Sequence, residues 1–89
     1  MLYPYLTLGD DTEILHTHII SENGSEKVQV HFERPQEDGF AAARCVLPKY
    51  EWVQREKFTD EEMAFFSKFL EHNAALIFKY ARSGGIKFA

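Results

Sequence analysis

Three of the four histidines fall within a short stretch of the chain, in a pattern that predicts a shared surface. His16 and His18 alternate along one apolar run, and His31 lies in the next run. Neutral imidazoles on adjacent strands can bind one Zn²⁺ or Ni²⁺ ion, and a pair of them can act as acid and base on a phosphodiester. No cofactor is expected from the sequence as a whole; in the alternative that the histidines form a metal site, His16, His18 and His31 are the candidate ligands of Zn²⁺ or Ni²⁺.

The elements that must position these histidines are two alternating runs on either side of Asn23-Gly24. Asn-Gly is a strong signal for a two-residue hairpin turn, because a type I′ turn needs φ > 0 at both central residues. Counting outward from that turn places His16 opposite His31 and His18 opposite Gln29. The same register places three residues of the first run on the core face: Leu15, Thr17 and Ile19.

A further strand is predicted over residues 40–47, and Pro48 ends it. One of its faces carries no charge (Ala41, Ala43, Cys45 and Leu47) and is assigned to the core. If residues 35–38 form the connecting loop, Glu33 pairs with Phe40 and Gln29 with Arg44. The predicted polar patch then consists of His16, His18, His31, Gln29 and Arg44. Arg44 would favour an anion there and would repel a metal cation.

Two other segments keep alternative interpretations. Residues 2–8 resemble an edge strand because they contain Pro4, which cannot donate to a sheet. Either Leu2, Leu6 and Leu8 or Tyr3 and Tyr5 face inward. Residues 49–57 alternate like a strand, but a loop or a short helical turn also fits them.

Thr59 and Glu62 form a capping-box pattern, which predicts the start of a helix that runs to Arg82 and stops at Gly84-Gly85. Its apolar stripe follows helical spacing: Met63, Phe66, Leu70, Ala74, Ile77 and Ala81. The expected architecture is α+β, an antiparallel sheet of four to five strands with one long C-terminal helix packed on one face. Residues 1–89 form a single domain in this prediction.

The helix carries a second apolar stripe that one sheet cannot cover: Phe65, Phe69 and Leu76. These side chains, together with Trp52, are the candidate interface residues. The alternative is that the Lys49–Phe58 segment folds over them.

Composition excludes several classes of protein. The net charge is −4 with no cluster of lysine or arginine, which counts against nucleic-acid binding. No run approaches the roughly 18 apolar residues that a membrane span needs. The single cysteine, Cys45, cannot form an internal disulfide, and no signal peptide is recognisable, so a cytoplasmic location is expected.

The order of elements resembles a family of small bacterial proteins of unknown function. In that family a Pro-His-x-His-Val strand precedes a short turn, two more strands and a C-terminal helix. His16-Thr17-His18-Ile19 matches the strand, Ser21–Val28 matches the turn and the next strand, and Glu61–Arg82 matches the helix. Ile14-Leu15 stands where the family has prolines. The resemblance implies a cytoplasmic bacterial protein with a protein partner, because members are associated with operons resembling toxin–antitoxin pairs. It implies no reaction.

The sequence favours a non-enzymatic module that self-associates or binds a protein partner, through the uncovered sheet face, the second helix stripe or both. The alternative function is a metal-binding or phosphoester-hydrolysing site on His16, His18 and His31.

Overall fold

The computed structural model describes residues 1–85, which form six strands and one helix. The elements are β1 (Tyr3–Thr7), β2 (Glu13–His16), β3 (Ile20–Glu22), β4 (Ser25–Gln36), β5 (Gly39–Leu47), β6 (Glu51–Glu56) and α1 (Asp60–Ser83). The sheet order is β1-β2-β4-β5-β6, all pairs are antiparallel, and β3 pairs with the start of β4. The predicted α+β class is confirmed.

The hairpin turn forms where it was predicted, with positive φ at Asn23 (49°) and Gly24 (78°). Next to it, β3 pairs with β4 in the predicted register, from Glu22 opposite Ser25 to Ile20 opposite Lys27. Further from the turn, the observed register differs from the predicted one by one residue: His16 of β2 lies opposite Val30, where His31 was predicted.

A bulge over Thr17–Ile19 causes this change, because three residues there oppose only Val28 and Gln29. Thr17 N–H donates to the Gln29 carbonyl (3.0 Å), and the Gln29 N–H donates to the Thr17 hydroxyl (3.1 Å). A one-residue slip moves every side chain to the opposite face. The predicted placement of Leu15 in the core is therefore wrong, and Ile14 occupies the core instead.

The β4–β5 hairpin turns within two residues, Glu37 and Asp38, so Gln36 pairs with Gly39. The predicted pairing of Glu33 with Phe40 is wrong by two positions, because the loop is shorter than 35–38. An even shift leaves each face unchanged. Ala41, Ala43, Cys45 and Leu47 are accordingly buried beneath α1, as predicted.

The two uncertain segments are both edge strands. Residues 51–56 form β6, which places Trp52 opposite Cys45. In β1, the tyrosines face the helix: the Tyr5 hydroxyl donates to Asn73 Oδ1 (2.7 Å). Tyr3 packs so closely on Gly85 that a Cβ there would lie 3.0 Å from its ring.

The helix begins with the predicted capping box. Glu62 N–H donates to the Thr59 hydroxyl (3.1 Å), and Thr59 N–H donates to the Glu62 carboxylate (3.0 Å). Gly84 ends the helix in the left-handed conformation, with φ 78°. Within residues 1–85, no helix is both long and apolar enough to cross a membrane.

Aromatic rings fill the space between the sheet and α1. Phe32 stacks on Phe66 with ring centroids 4.4 Å apart, and Trp52 lies 5.6 Å from Phe32. The small side chains of β5 leave room for these rings, which explains why one strand supplies mainly alanine and cysteine to the core.

Arg34 joins three elements at the edge of this core. Its guanidinium pairs with Asp10 (3.0 Å) and with Glu62, and it lies 5.1 Å from the centroid of the Phe58 ring. Arg34 is the main cause of the lowered pKa of Glu62. The pKa of Asp10 is lowered by hydrogen bonding from Thr12 and, in addition, by Arg34.

Candidate functional site

His16 is a core residue and does not lie on the uncovered face of the sheet. It is fully buried, and its Nδ1 lies 2.7 Å from the Thr17 carbonyl. The rings of Tyr3 and Tyr5 surround it, with centroids 5.7 and 6.4 Å away, and its Nε2 has no hydrogen-bond partner within residues 1–85. Because the bulge at Thr17–Ile19 shifts the register by one residue, this side chain lies on the core face and not on the predicted open face.

The side of the sheet opposite α1, called here the open face, holds three of the five predicted patch residues. His31 lies between Leu15 of β2 and Arg44 of β5, and Gln29, two residues earlier in β4, is on the same face. Arg44 is thus opposite His31, not opposite Gln29 as predicted. His18 stays in the bulge, exposed to solvent.

His31 is only 8% exposed although it lies on the open face. Its burial, together with the charge of Arg44, lowers the pKa of the imidazole. Both effects disfavour the charged form, so His31 is neutral near neutral pH. Arg44 itself is exposed and forms no ion pair within residues 1–85.

The three histidines therefore do not converge. His16 and His31 are on opposite faces of the sheet, and residues 1–85 contain no group of three or more His, Cys, Asp or Glu side chains arranged to hold a metal ion. The predicted convergence is wrong because it depended on an unbroken register through Thr17.

The candidate interface residues divide into two groups. Trp52 is packed within the molecule: its indole N–H donates to the Ser67 hydroxyl (3.3 Å). Phe69 is half-buried, with its ring centroid 6.1 Å from that of Tyr5. Phe65 and Leu76 are exposed, at 53% and 44%. The segment that becomes β6 does not cover them.

Phe65 and Leu76 share one stripe of α1 with Phe69, whose ring contacts Tyr5 of β1. At roughly 100° per residue, Phe65, Phe69 and Leu76 lie within about 40° of one another around the helix. Phe65 and Leu8 line a groove of about 440 Å³ near the start of α1. A second groove, of about 310 Å³, runs from Leu6 to the end of α1.

The sequence predicted only part of this exposed apolar surface. The helix stripe was predicted, but Leu6, which is 46% exposed, was one of two alternatives for the core. We call the set Leu6, Phe65, Phe69 and Leu76 the α1–β1 surface.

Cys45 is buried on the α1 side of β5. Burial is the main cause that raises the pKa of its thiol to about 11, with a smaller contribution from Glu51. A thiol of this kind is a poor nucleophile near neutral pH.

Comparisons with protein-family models, with curated proteins and with solved structures returned no significant match. The resemblance to the small bacterial family stays a prediction.

Proposed function

We propose that this protein is a non-enzymatic interaction module that self-associates through the α1–β1 surface. The observation that carries the proposal is the exposure of Phe65 (53%) and Leu76 (44%) on the α1 stripe whose Phe69 contacts β1, an edge strand with a third exposed apolar side chain, Leu6 (46%). Several large apolar side chains exposed on neighbouring elements are typical of interaction sites. An edge strand next to them offers unpaired backbone groups as well.

The open face is the weaker of the two candidate surfaces. Its side chains Leu15, Ala42 and Val46 are half-buried, and Phe40, which is 60% exposed, lies alone at the hairpin end of β5. Arg44 separates Ala42 from Val46 along the same face, so the apolar area that a partner could cover there is interrupted by polar side chains. Because hydrophobic stabilisation scales with the area removed from water, the α1–β1 surface has more to gain from a partner.

The proposal places the protein in a bacterial cytoplasm. The free thiol of Cys45 is compatible with a reducing compartment, and the family resemblance implies the same location. A protein partner of another kind remains the competing occupant of the surface.

Sedimentation velocity at micromolar concentrations tests the proposal. We expect a monomer–dimer equilibrium for the wild-type chain and a monomer for Phe65→Lys. Phe40→Lys is the matched control, since Phe40 is equally large, is 60% exposed and lies on β5 away from the surface. A wild-type chain that sediments as a monomer throughout would exclude self-association.

A further inference from the structure

The β1-facing side of α1 has the spacing of a helix–helix seam. Its positions alternate in steps of three and four: Glu62, Phe65, Phe69, His72, Leu76 and Lys79. Such a 3-4 repeat keeps one stripe of side chains facing a second helix. Residues 1–85 contain one helix, so within them no second helix lies against the seam.

Reading the seam backwards brings compatible groups opposite one another. Reversal exchanges Phe65 with Leu76 and Phe69 with His72, and it exchanges the acidic first turn with Lys79. A two-fold axis requires this kind of self-complementarity, because each contact then occurs twice.

The free charges favour one orientation of the second helix. Glu62 already pairs with Arg34, but Glu61 and Lys79 are exposed, border the seam and form no ion pair within residues 1–85. An antiparallel second copy brings Glu61 near Lys79 of the other chain. A parallel copy brings like charges together at both ends, which is unfavourable.

We infer that the occupant of the α1–β1 surface is a second copy of this chain, with the two α1 helices antiparallel and Glu61 of each copy paired with Lys79 of the other. This inference rests on the proposed self-association and specifies its geometry. Tyr5 contacts Phe69 and Asn73, so β1 packs against the middle of α1 next to the seam.

The size of the surface indicates a weak dimer. Eighteen residues of helix span about 27 Å at 1.5 Å per residue, and a helix about 11 Å across with one strand spacing of about 5 Å gives a strip about 16 Å wide, or somewhat more than 400 Å² of flat area before side-chain relief is counted. About 500 Å² per copy, or about 1,000 Å² in total, lies below the standard size of stable interfaces. We therefore expect dissociation in the micromolar range.

Charge exchange tests the orientation, with the dimer dissociation constant measured by sedimentation at low salt. Glu61→Lys and Lys79→Glu should each weaken the dimer about tenfold, because each replaces two attractions by two repulsions. The double variant Glu61→Lys/Lys79→Glu should restore wild-type affinity to within about threefold. The effect of each single variant should shrink at high salt.

The matched controls make the same charge changes away from the seam: Glu71→Lys, about 80° around α1 from Glu61 at roughly 100° per residue, and Lys49→Glu, in the exposed turn between β5 and β6. Circular dichroism of each variant verifies the fold. A dimer that none of the variants weakens would overturn the antiparallel pairing and leave self-association standing. A wild-type chain that is monomeric at every concentration would overturn both.

Discussion

Replacement of Arg34 by methionine tests whether one guanidinium holds three elements together. Its side chain is 17% exposed, and its partners Glu62 and Asp10 are 27% and 55% exposed. A largely buried hydrogen bond to a charged group contributes about 1.5–3 kcal/mol, and an exposed ion pair about 0.2–1 kcal/mol. Methionine keeps an unbranched apolar side chain at this position but removes the guanidinium, including its contact with the Phe58 ring. We expect Arg34→Met to lower the free energy of unfolding by about 2–3 kcal/mol.

Urea denaturation at neutral pH measures this loss, and Trp52, the single tryptophan, reports unfolding through its contact with Phe32. The control is Arg82→Met, because Arg82 and its partner Glu26 are both more than half exposed. That variant should lose less than about 1 kcal/mol. Equal losses for the two variants would refute the reasoning.

The same variant should also change the response to acid. Arg34 is the first cause of the lowered pKa of Glu62 and contributes to that of Asp10, whose ordinary values are 4.5 and 3.8. As pH falls through those values the unfolded chain takes up protons first, so the folded state loses stability. In Arg34→Met the pKa values of Glu62 and Asp10 lie closer to those of the unfolded chain, so acidification removes less folding stability from this variant. The stability difference between wild type and Arg34→Met should therefore narrow below about pH 4.5; a constant difference would refute the assignment.

Three further changes have defined outcomes. Phe32→Ala should lower the free energy of unfolding by about 3–5 kcal/mol in the same urea assay, because it empties the middle of the aromatic core; a loss below about 1 kcal/mol would show that the site collapses. Burial and Arg44 lower the pKa of His31, so the unfolded chain is protonated first as pH falls through 6.5 and stability then drops by at most about 1.4 kcal/mol per pH unit. His31→Gln should remove this slope between about pH 7 and 5, and an unchanged slope would exclude His31 as its source. Cys45, buried and with its pKa raised to about 11, should resist iodoacetamide in the folded protein and react in urea; alkylation at equal rates in both states would contradict its burial.

Local signals in the sequence predicted three features that a few neighbouring residues determine. The Asn23-Gly24 turn, the capping box at Thr59 and the helix stop at Gly84 were all confirmed. In each case the backbone geometry and the hydrogen-bonding groups belong to the same short segment, so no distant contact is needed to specify it.

Register could not be predicted over long distances, because it depends on the sum of all irregularities between the turn and the pair in question. Because of one extra residue at Thr17–Ile19, His16 lies in the core, whereas the predicted register placed it on the open face. The shorter β4–β5 loop shifted Arg44 by two residues, which changed its partner but not its face. Of the candidate site, the open-face positions of His31, Gln29 and Arg44 were therefore predictable, and that of His16 was not.

The contacts of β1 set an order of events during synthesis. The Tyr5 hydroxyl reaches Asn73, 68 residues away in the chain, and the Tyr3 ring packs on Gly85. A ribosome therefore releases the first strand long before the helical turns that anchor its tyrosines. Contacts of such high sequence separation close late in folding. Limited proteolysis of chains stalled before residue 73 should cut within β1, and chains released past residue 85 should be protected there; equal cutting of both would contradict late closure.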